Sequence, residues 1–160
     1  MRIIHNINQG WRFSLTADAV SEQLPADWEE INLPHTWNGI DGQDGGGDYH
    51  RGVGYYAKMI PASRLRSPVN FLQFEGVNST AKVFWNGRQI FTHFGGYSTF
   101  RMELDDIREE NLLVVTADNT PNDNVYPQNA DFTFYGGIYR DVSISVQGLS
   151  LHRHFFGQGK

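Results

Sequence analysis

Along much of this chain the apolar residues recur at every second position, the spacing that puts alternate side chains on one face of a β-strand. Trp11, Phe13 and Leu15 alternate first, followed by Ile31 and Leu33. Ala81, Val83 and Trp85 repeat the pattern, then Phe100, Met102 and Leu104, then Val142, Ile144 and Val146. Val69, Phe71, Leu72 and Phe74 form a more continuous run, as expected of a strand covered on both faces. No window of about 11 to 18 residues carries a sustained helical stripe. Short strands at close intervals, with turn residues between them, predict an all-β, antiparallel sandwich or barrel.

The clearest local signal is Asn86-Gly87. A two-residue type I′ turn needs positive φ at both central positions, and Asn and Gly adopt it at least cost. The pair is expected to join strands 80–85 and 88–93 as a hairpin. Glycine pairs at Gly95-Gly96 and Gly136-Gly137, and the triplet Gly45-Gly46-Gly47, mark places where the chain turns or where backbones approach closely. Two long connections remain, 34–51 and 118–134. Connections longer than about 12–15 residues are uncommon in small domains and are usually functional or disordered. Both are rich in aromatic residues and carboxylates, which favours function.

Composition narrows the partners. A chain of 160 residues suffices for one well-buried core, since domains of about that size hide roughly 68–70% of the surface of the unfolded chain; a second full domain is not expected. The formal charge is −5 and the 13 basic residues are scattered, so no stripe exists to neutralise a phosphate backbone, and no nucleic acid partner is expected. The absence of cysteine removes disulfides, thiolate zinc sites and a cysteine nucleophile. The first residues hold no apolar stretch of signal-peptide length, and no run approaches about 18 apolar residues. The expectation is a soluble chain without a membrane partner, its compartment, cytoplasmic or periplasmic, left open.

Candidate chemistry gathers in the two long connections. The first carries Pro34-His35-Thr36-Trp37-Asn38, then an Asp/Gly run over 41–48, then Tyr49-His50-Arg51-Gly52-Val53-Gly54-Tyr55-Tyr56. Aromatic rings beside Asn, Asp and Arg suit a sugar, which offers apolar C–H faces and a ring of hydroxyls. The alternative is that Trp37, Tyr55 and Tyr56 pack the core or the loop. The Asp/Gly run has oxygen ligands for calcium but lacks the spacing of a helix-flanked calcium loop, so a solvated loop is the competing reading. The second connection carries Tyr126 through Tyr135, with Asp131 either facing a ligand or capping a turn. Arg140 and Asp141, adjacent on an expected strand, should point to opposite faces and not pair. The six histidines have no zinc spacing. Asn78-Ser79-Thr80 fits a glycosylation triplet, and no Gly-x-Ser-x-Gly elbow supports a serine hydrolase.

Read together and in order, several stretches resemble the N-terminal sugar-binding domain of family 2 glycoside hydrolases, especially the β-galactosidase type. They are Leu33-Pro34-His35-Thr36-Trp37-Asn38, Arg51-Gly52-Val53-Gly54-Tyr55-Tyr56, the segment from Phe74 to Ala81, Trp85-Asn86-Gly87, the segment from His93 to Phe100, Asp118-Asn119, and Asp131 through Val142. The resemblance implies a galactose-binding-domain-like jelly-roll β-sandwich over 1–146, with 147–160 a tail outside the family pattern. It also implies downstream immunoglobulin-like and barrel domains as partners, and a carbohydrate, a β-galactoside or related glycoside, as ligand.

The reaction implied is retaining hydrolysis of a β-glycoside by two carboxyl groups about 5–5.5 Å apart. The resemblance places both on a (β/α)₈ barrel of about 250 residues, which this chain cannot contain. None of its seven glutamates lies in a catalytic motif of the family, so no residue is expected to be catalytic. What the resemblance assigns to this domain is completion of the sugar pocket. Asp131 falls where an aspartate touches substrate hydroxyls and, in some members, lies near a sodium ion. Arg51 falls where some β-galactosidases have a pocket-facing asparagine, and Trp37 is the third expected substrate-binding residue. Two other readings use the same residues: a free-standing carbohydrate-binding module, and an architectural module for assembly.

Overall fold

The alternating runs form strands where the sequence places them. The computed structural model describes residues 2–17, 19–20, 23–37, 52–65, 67–95, 99–120 and 136–147. Its strands are β1 (Arg2–Asn6), β2 (Trp11–Ser14), β3 (Glu29–Ile31), β4 (Val53–Pro61), β5 (Val69–Phe74), β6 (Val77–Asn78), β7 (Thr80–Trp85), β8 (Arg88–Phe94), β9 (Phe100–Glu103), β10 (Glu110–Asp118), β11 (Gly137–Ile138) and β12 (Val142–Gln147). Among the described residues the helical content is one 3₁₀ turn, Ala62–Arg64.

Every pairing is antiparallel. A four-stranded sheet runs β1-β12-β5-β9 and a six-stranded sheet runs β3-β2-β4-β10-β7-β8, with β11 and β6 as a small third pair. The two large sheets face each other as the expected jelly-roll sandwich. Trp11 and Phe13 from β2, Tyr56 and Ile60 from β4, and Val83 and Trp85 from β7 meet Leu72, Phe74, Met102 and Ile144 of the opposite sheet in one buried cluster. Of these, Trp11, Phe13, Val83, Trp85, Met102 and Ile144 are residues that the period of two assigned to one face, whereas Leu72 and Phe74 come from the continuous run and Tyr56 and Ile60 from β4.

Asn86 and Gly87 have φ of 52° and 88°, the two positive values that a type I′ hairpin requires. They join β7 to β8. Phe100 stacks on Phe74 at 5.1 Å and on Phe91 at 5.5 Å, and His93 lies 4.2 Å from Phe100. This aromatic stack links β8 to β9 and closes one open side of the sandwich.

β4 and β10 are central and are absent from the alternating runs. Residues Asn111 to Ala117 of β10 are all buried, because both faces are covered. The inner face meets the other sheet. On the outer face, Val20, Leu24 and Trp28 pack on Ala57, Leu112 and Val114. The β2–β3 connection is thus a strap across the six-stranded sheet, pinned where the Arg12 guanidinium donates to the carbonyl of Trp28 at 3.3 Å.

Two sequence expectations change. Arg140 and Asp141 lie just ahead of β12 rather than on it. They remain apart: Asp141 accepts from the Asn8 amide at 3.0 Å, and the Arg140 guanidinium lies over the Tyr139 ring. The triplet Asn78-Ser79-Thr80 is buried throughout, so a glycan could not be attached to it in the folded domain.

Candidate functional site

The two long connections begin and end at the same end of the sandwich, and alternate residues at the start of β4 tie them down. β4 begins directly after Gly52 and opens as Val53-Gly54-Tyr55-Tyr56, so Gly54 and Tyr56 lie on one side of it, with Gly52 just ahead in the same alternation. Each serves a different neighbour.

Gly52 holds the second connection. Its N–H donates to the Asn119 side-chain oxygen at 2.8 Å, and its carbonyl accepts the Asn119 N–H at 3.1 Å. Gly54 makes room for Trp37. A Cβ on Gly54 would lie 2.8 Å from Trp37 Cε3, closer than real Cβ atoms come, and 3.0 Å from a Phe13 ring carbon, a tight contact. The indole covers Gly136 in the same way and stacks on Phe13 at a centroid distance of 6.0 Å and an interplanar angle of 22°.

Tyr56 holds the segment before Trp37. Its hydroxyl is 2.7 Å from His35 Nδ1. The His35 N–H donates to the Ile138 carbonyl at 2.8 Å and the Trp37 N–H to the Gly136 carbonyl at 3.2 Å. On its other edge β11 pairs with β6, so β11 is held from both sides. Gly137 has φ of +133°, and a Cβ there would press on the His35 carbonyl and the Tyr56 hydroxyl. No other residue fits this position without moving the base.

Burial sets the protonation states. It pushes the Tyr56 phenol well above its ordinary range, against the milder opposing effect of a hydrogen bond from the Ile138 backbone. Burial also lowers the His35 pKa, opposed by the negative charge of Glu29. The phenol therefore stays protonated beside an imidazole whose neutral form is favoured, and one proton is shared between the Tyr56 hydroxyl and His35 Nδ1 according to the ring's tautomer.

Of the residues expected to bind substrate, Trp37 is half-buried against the core, in the packing position just described. Arg51 and Asp131 lie outside the described residues, as do the Asp/Gly run over 41–48 and Tyr126 to Phe134. Tyr55 and Tyr56 belong to β4 rather than to a loop, and Tyr56 is fully buried. Asn119 was visible only as part of a family stretch with no role attached; its clamp on Gly52, far away in sequence, has no periodic signature. Among the described residues no group of three or more His, Cys, Asp or Glu could hold a metal ion. The expected sodium ion was attached to Asp131, outside those residues.

A groove of about 460 Å³ opens beside Phe13, lined by Leu15, Thr16, Asp27, Trp28 and Glu29 among others. The Trp28 ring meets the edge of Tyr55 at 6.1 Å, so it is engaged in packing.

Residues 38–147 match the family described as "Glycosyl hydrolases family 2, sugar binding domain". A β-glucuronidase of Bacteroides fragilis is 40% identical over 144 residues, covering 88% of this chain and 20% of that protein. A β-galactosidase of Thermoanaerobacterium thermosulfurigenes is 32% identical, covering 91% of this chain and 22% of that protein. The crystal structure of an FMN-binding β-glucuronidase from Facaelibacterium prausnitzii L2-6 superposes with a TM-score of 0.78 at 35% identity, covering 91% of this chain and 22% of that one. The chain spans about a fifth of the length of these relatives.

Proposed function

The chain belongs to glycosyl hydrolases family 2, whose sugar binding domain it matches, and on that footing we propose that it forms a non-catalytic wall of the sugar pocket in a larger retaining β-glycosidase. One observation carries this reading. The two connections that hold Arg51 and Asp131 share a single braced base, in which Trp37 bonds Gly136 and Gly52 bonds Asn119.

Within that pocket Asp131 accepts hydrogen bonds from substrate hydroxyls, and Arg51 adds a guanidinium. Trp37 serves the pocket from the base, fixing where the first connection leaves the sandwich. The proton transfers of glycoside cleavage fall to carboxyl groups elsewhere in the enzyme.

The substrate is a β-glycoside, and Arg51 favours a glycone that carries a carboxylate. A guanidinium pairs with a carboxylate through two parallel charge-assisted hydrogen bonds, which a neutral galactoside cannot offer. Relatives on both sides of that divide, a β-glucuronidase and a β-galactosidase, resemble the chain, so the choice is open to direct test.

The purified chain alone is expected to release no product from p-nitrophenyl β-galactoside or p-nitrophenyl β-glucuronide. The full-length gene product is expected to hydrolyse one of them, and Asp131→Ala in it to lower kcat/KM by about tenfold or more. Turnover that copurifies with the isolated chain contradicts the reading. So does a full-length product inert toward all β-glycosides.

A further inference from the structure

Tyr56 of β4 turns into the core, so its neighbour Tyr55 turns to the outer face of the six-stranded sheet. The pairing of β10 with both β4 and β7 sets Tyr55, Thr116 and Lys82 in one row across three strands of that face. Adjacent strands lie about 4.8 Å apart, so the three side chains are neighbours. Asp118, two residues along β10 from Thr116, joins them on the same side. Between these side chains lies a hollow of about 170 Å³, with Phe84 and Val20 of the strap also in its wall.

Two polar groups in this hollow lack protein partners. Thr116 is 7% exposed, yet among the described residues its hydroxyl makes no hydrogen bond, whereas buried polar side chains are in large majority paired. Lys82 is exposed, and among the described residues its ammonium has no ion pair. The other two are held in place. The Asp118 carboxylate accepts the Thr120 N–H at 2.9 Å and the Thr120 hydroxyl at 2.6 Å, and the Tyr55 ring meets the edge of Trp28 at 6.1 Å.

A single water would satisfy Thr116, but the hollow has room for about five, at roughly 30 Å³ each. Its chemistry selects what could fill that room. An anion would meet the Asp118 carboxylate and a cation the Lys82 ammonium, so a ligand of either charge is opposed by one of them. A neutral polyol is opposed by neither. Its hydroxyls donate to Asp118, accept from Lys82 and do either with Thr116, while an apolar C–H face lies against Tyr55 and Phe84.

We propose that this hollow is a carbohydrate site, which holds one sugar unit of a neutral glycan on the outer face of the six-stranded sheet. It uses none of the residues assigned to the sugar pocket and does not rest on that reading. In the enzyme proposed above it would retain a long substrate by a unit remote from the bond that is cleaved.

The test runs the full-length gene product through native gels containing soluble galactan, xylan or galactomannan, with a polysaccharide-free gel as reference. Retardation by at least one of the three is expected. Lys82→Ala and Thr116→Val each remove a group that meets the sugar, and each is expected to weaken the binding about five- to tenfold. Thr116→Val has a second readout. It deletes a buried hydroxyl that has no protein partner, so Tm is expected to hold or rise.

A fall in Tm would show that the hydroxyl is bonded within the fold, and would overturn the proposal. So would the absence of retardation by all three glycans, or retardation unchanged in both variants. If retardation is lost in Asp131→Ala and kept in Lys82→Ala, the binding belongs to the sugar pocket; this proposal then falls and the wider reading stands. If Lys82→Ala loses retardation while Asp131→Ala keeps both retardation and kcat/KM, the hollow stands and the wider reading falls.

Discussion

The hydroxyl of Tyr56 reaches His35 Nδ1 at 2.7 Å, and through this contact β4 holds the segment that leads into the first long connection. Tyr56 is fully buried and its ring also meets Trp11, Phe13 and His35. Tyr56→Phe keeps those ring contacts and removes one oxygen. It leaves the His35 nitrogen and the Ile138 backbone group without their partner, a loss of about 1–3 kcal/mol for buried polar groups. Urea unfolding of the variant should show that loss in midpoint with little change in slope. A midpoint within error of the wild type would mean that the hydroxyl contributes nothing to the base.

Acid should destabilise the domain through two of its histidines. Burial lowers the pKa values of His35 and His93 from an ordinary value of 6.5, so the folded state favours their neutral forms. As pH falls below about 6.5 the unfolded chain takes up protons that the folded chain resists. The stability they contribute is intact above that value and is lost as pH falls toward the lowered folded pKa values. Thermal melts between pH 7.5 and 5.5 should show a falling Tm. His93→Gln, which removes one of the two groups, should flatten the dependence. A Tm that rises on acidification over this window would contradict the assigned direction.

Steric and conformational roles of glycine can be separated. Gly54→Ala places a methyl group against the Trp37 indole, whereas Gly87→Ala meets nothing within 4 Å but has φ of +88°. Overpacking costs about 1–3 kcal/mol, and the αL strain at Gly87 costs about 1 kcal/mol. Only the first should depend on Trp37. In a Trp37→Ala background, Gly54→Ala is expected to become nearly neutral while Gly87→Ala keeps its full effect. Equal cost of Gly54→Ala in both backgrounds would show that the indole is not what the glycine accommodates.

Much of the sandwich was legible because half-buried strands write a period of two into the sequence, as at Trp11-Phe13 and Ala81-Val83-Trp85. The Asn86-Gly87 turn was legible for an equally local reason. β10 was not, because Leu112 through Val115 are buried on both faces and show no alternation. The strap that buries its outer face is irregular, so no periodic pattern marks Val20, Leu24 and Trp28 as its cover. Buried polar hubs are equally silent. The Asn111 amide donates to the Ile60 and Arg108 carbonyls, and its oxygen accepts the Arg108 N–H and the Asn86 amide. That set of partners comes from three separate stretches and leaves no pattern in any one of them. At the base, Trp37, Gly54 and Gly136 were visible as motif residues, but their reason for being small or aromatic appears only when the three meet.

Arg51 supplies the sharpest test of substrate. A charge-assisted hydrogen bond contributes about 1.5–3 kcal/mol, or roughly 10- to 100-fold in an equilibrium or rate constant. Arg51→Asn keeps a hydrogen-bonding side chain and discards the positive charge. If the guanidinium meets a glycone carboxylate, the variant of the full-length gene product loses that factor in kcat/KM toward p-nitrophenyl β-glucuronide. Toward p-nitrophenyl β-galactoside, which has a neutral hydroxymethyl group in its place, the change should stay within about threefold. Raising the salt concentration should weaken the glucuronide preference of the wild type only modestly, because a pair enclosed in a pocket is less screened than an exposed one. A parallel fall for both substrates would identify Arg51 as a general contributor to the pocket, and loss confined to the galactoside would reverse the assignment.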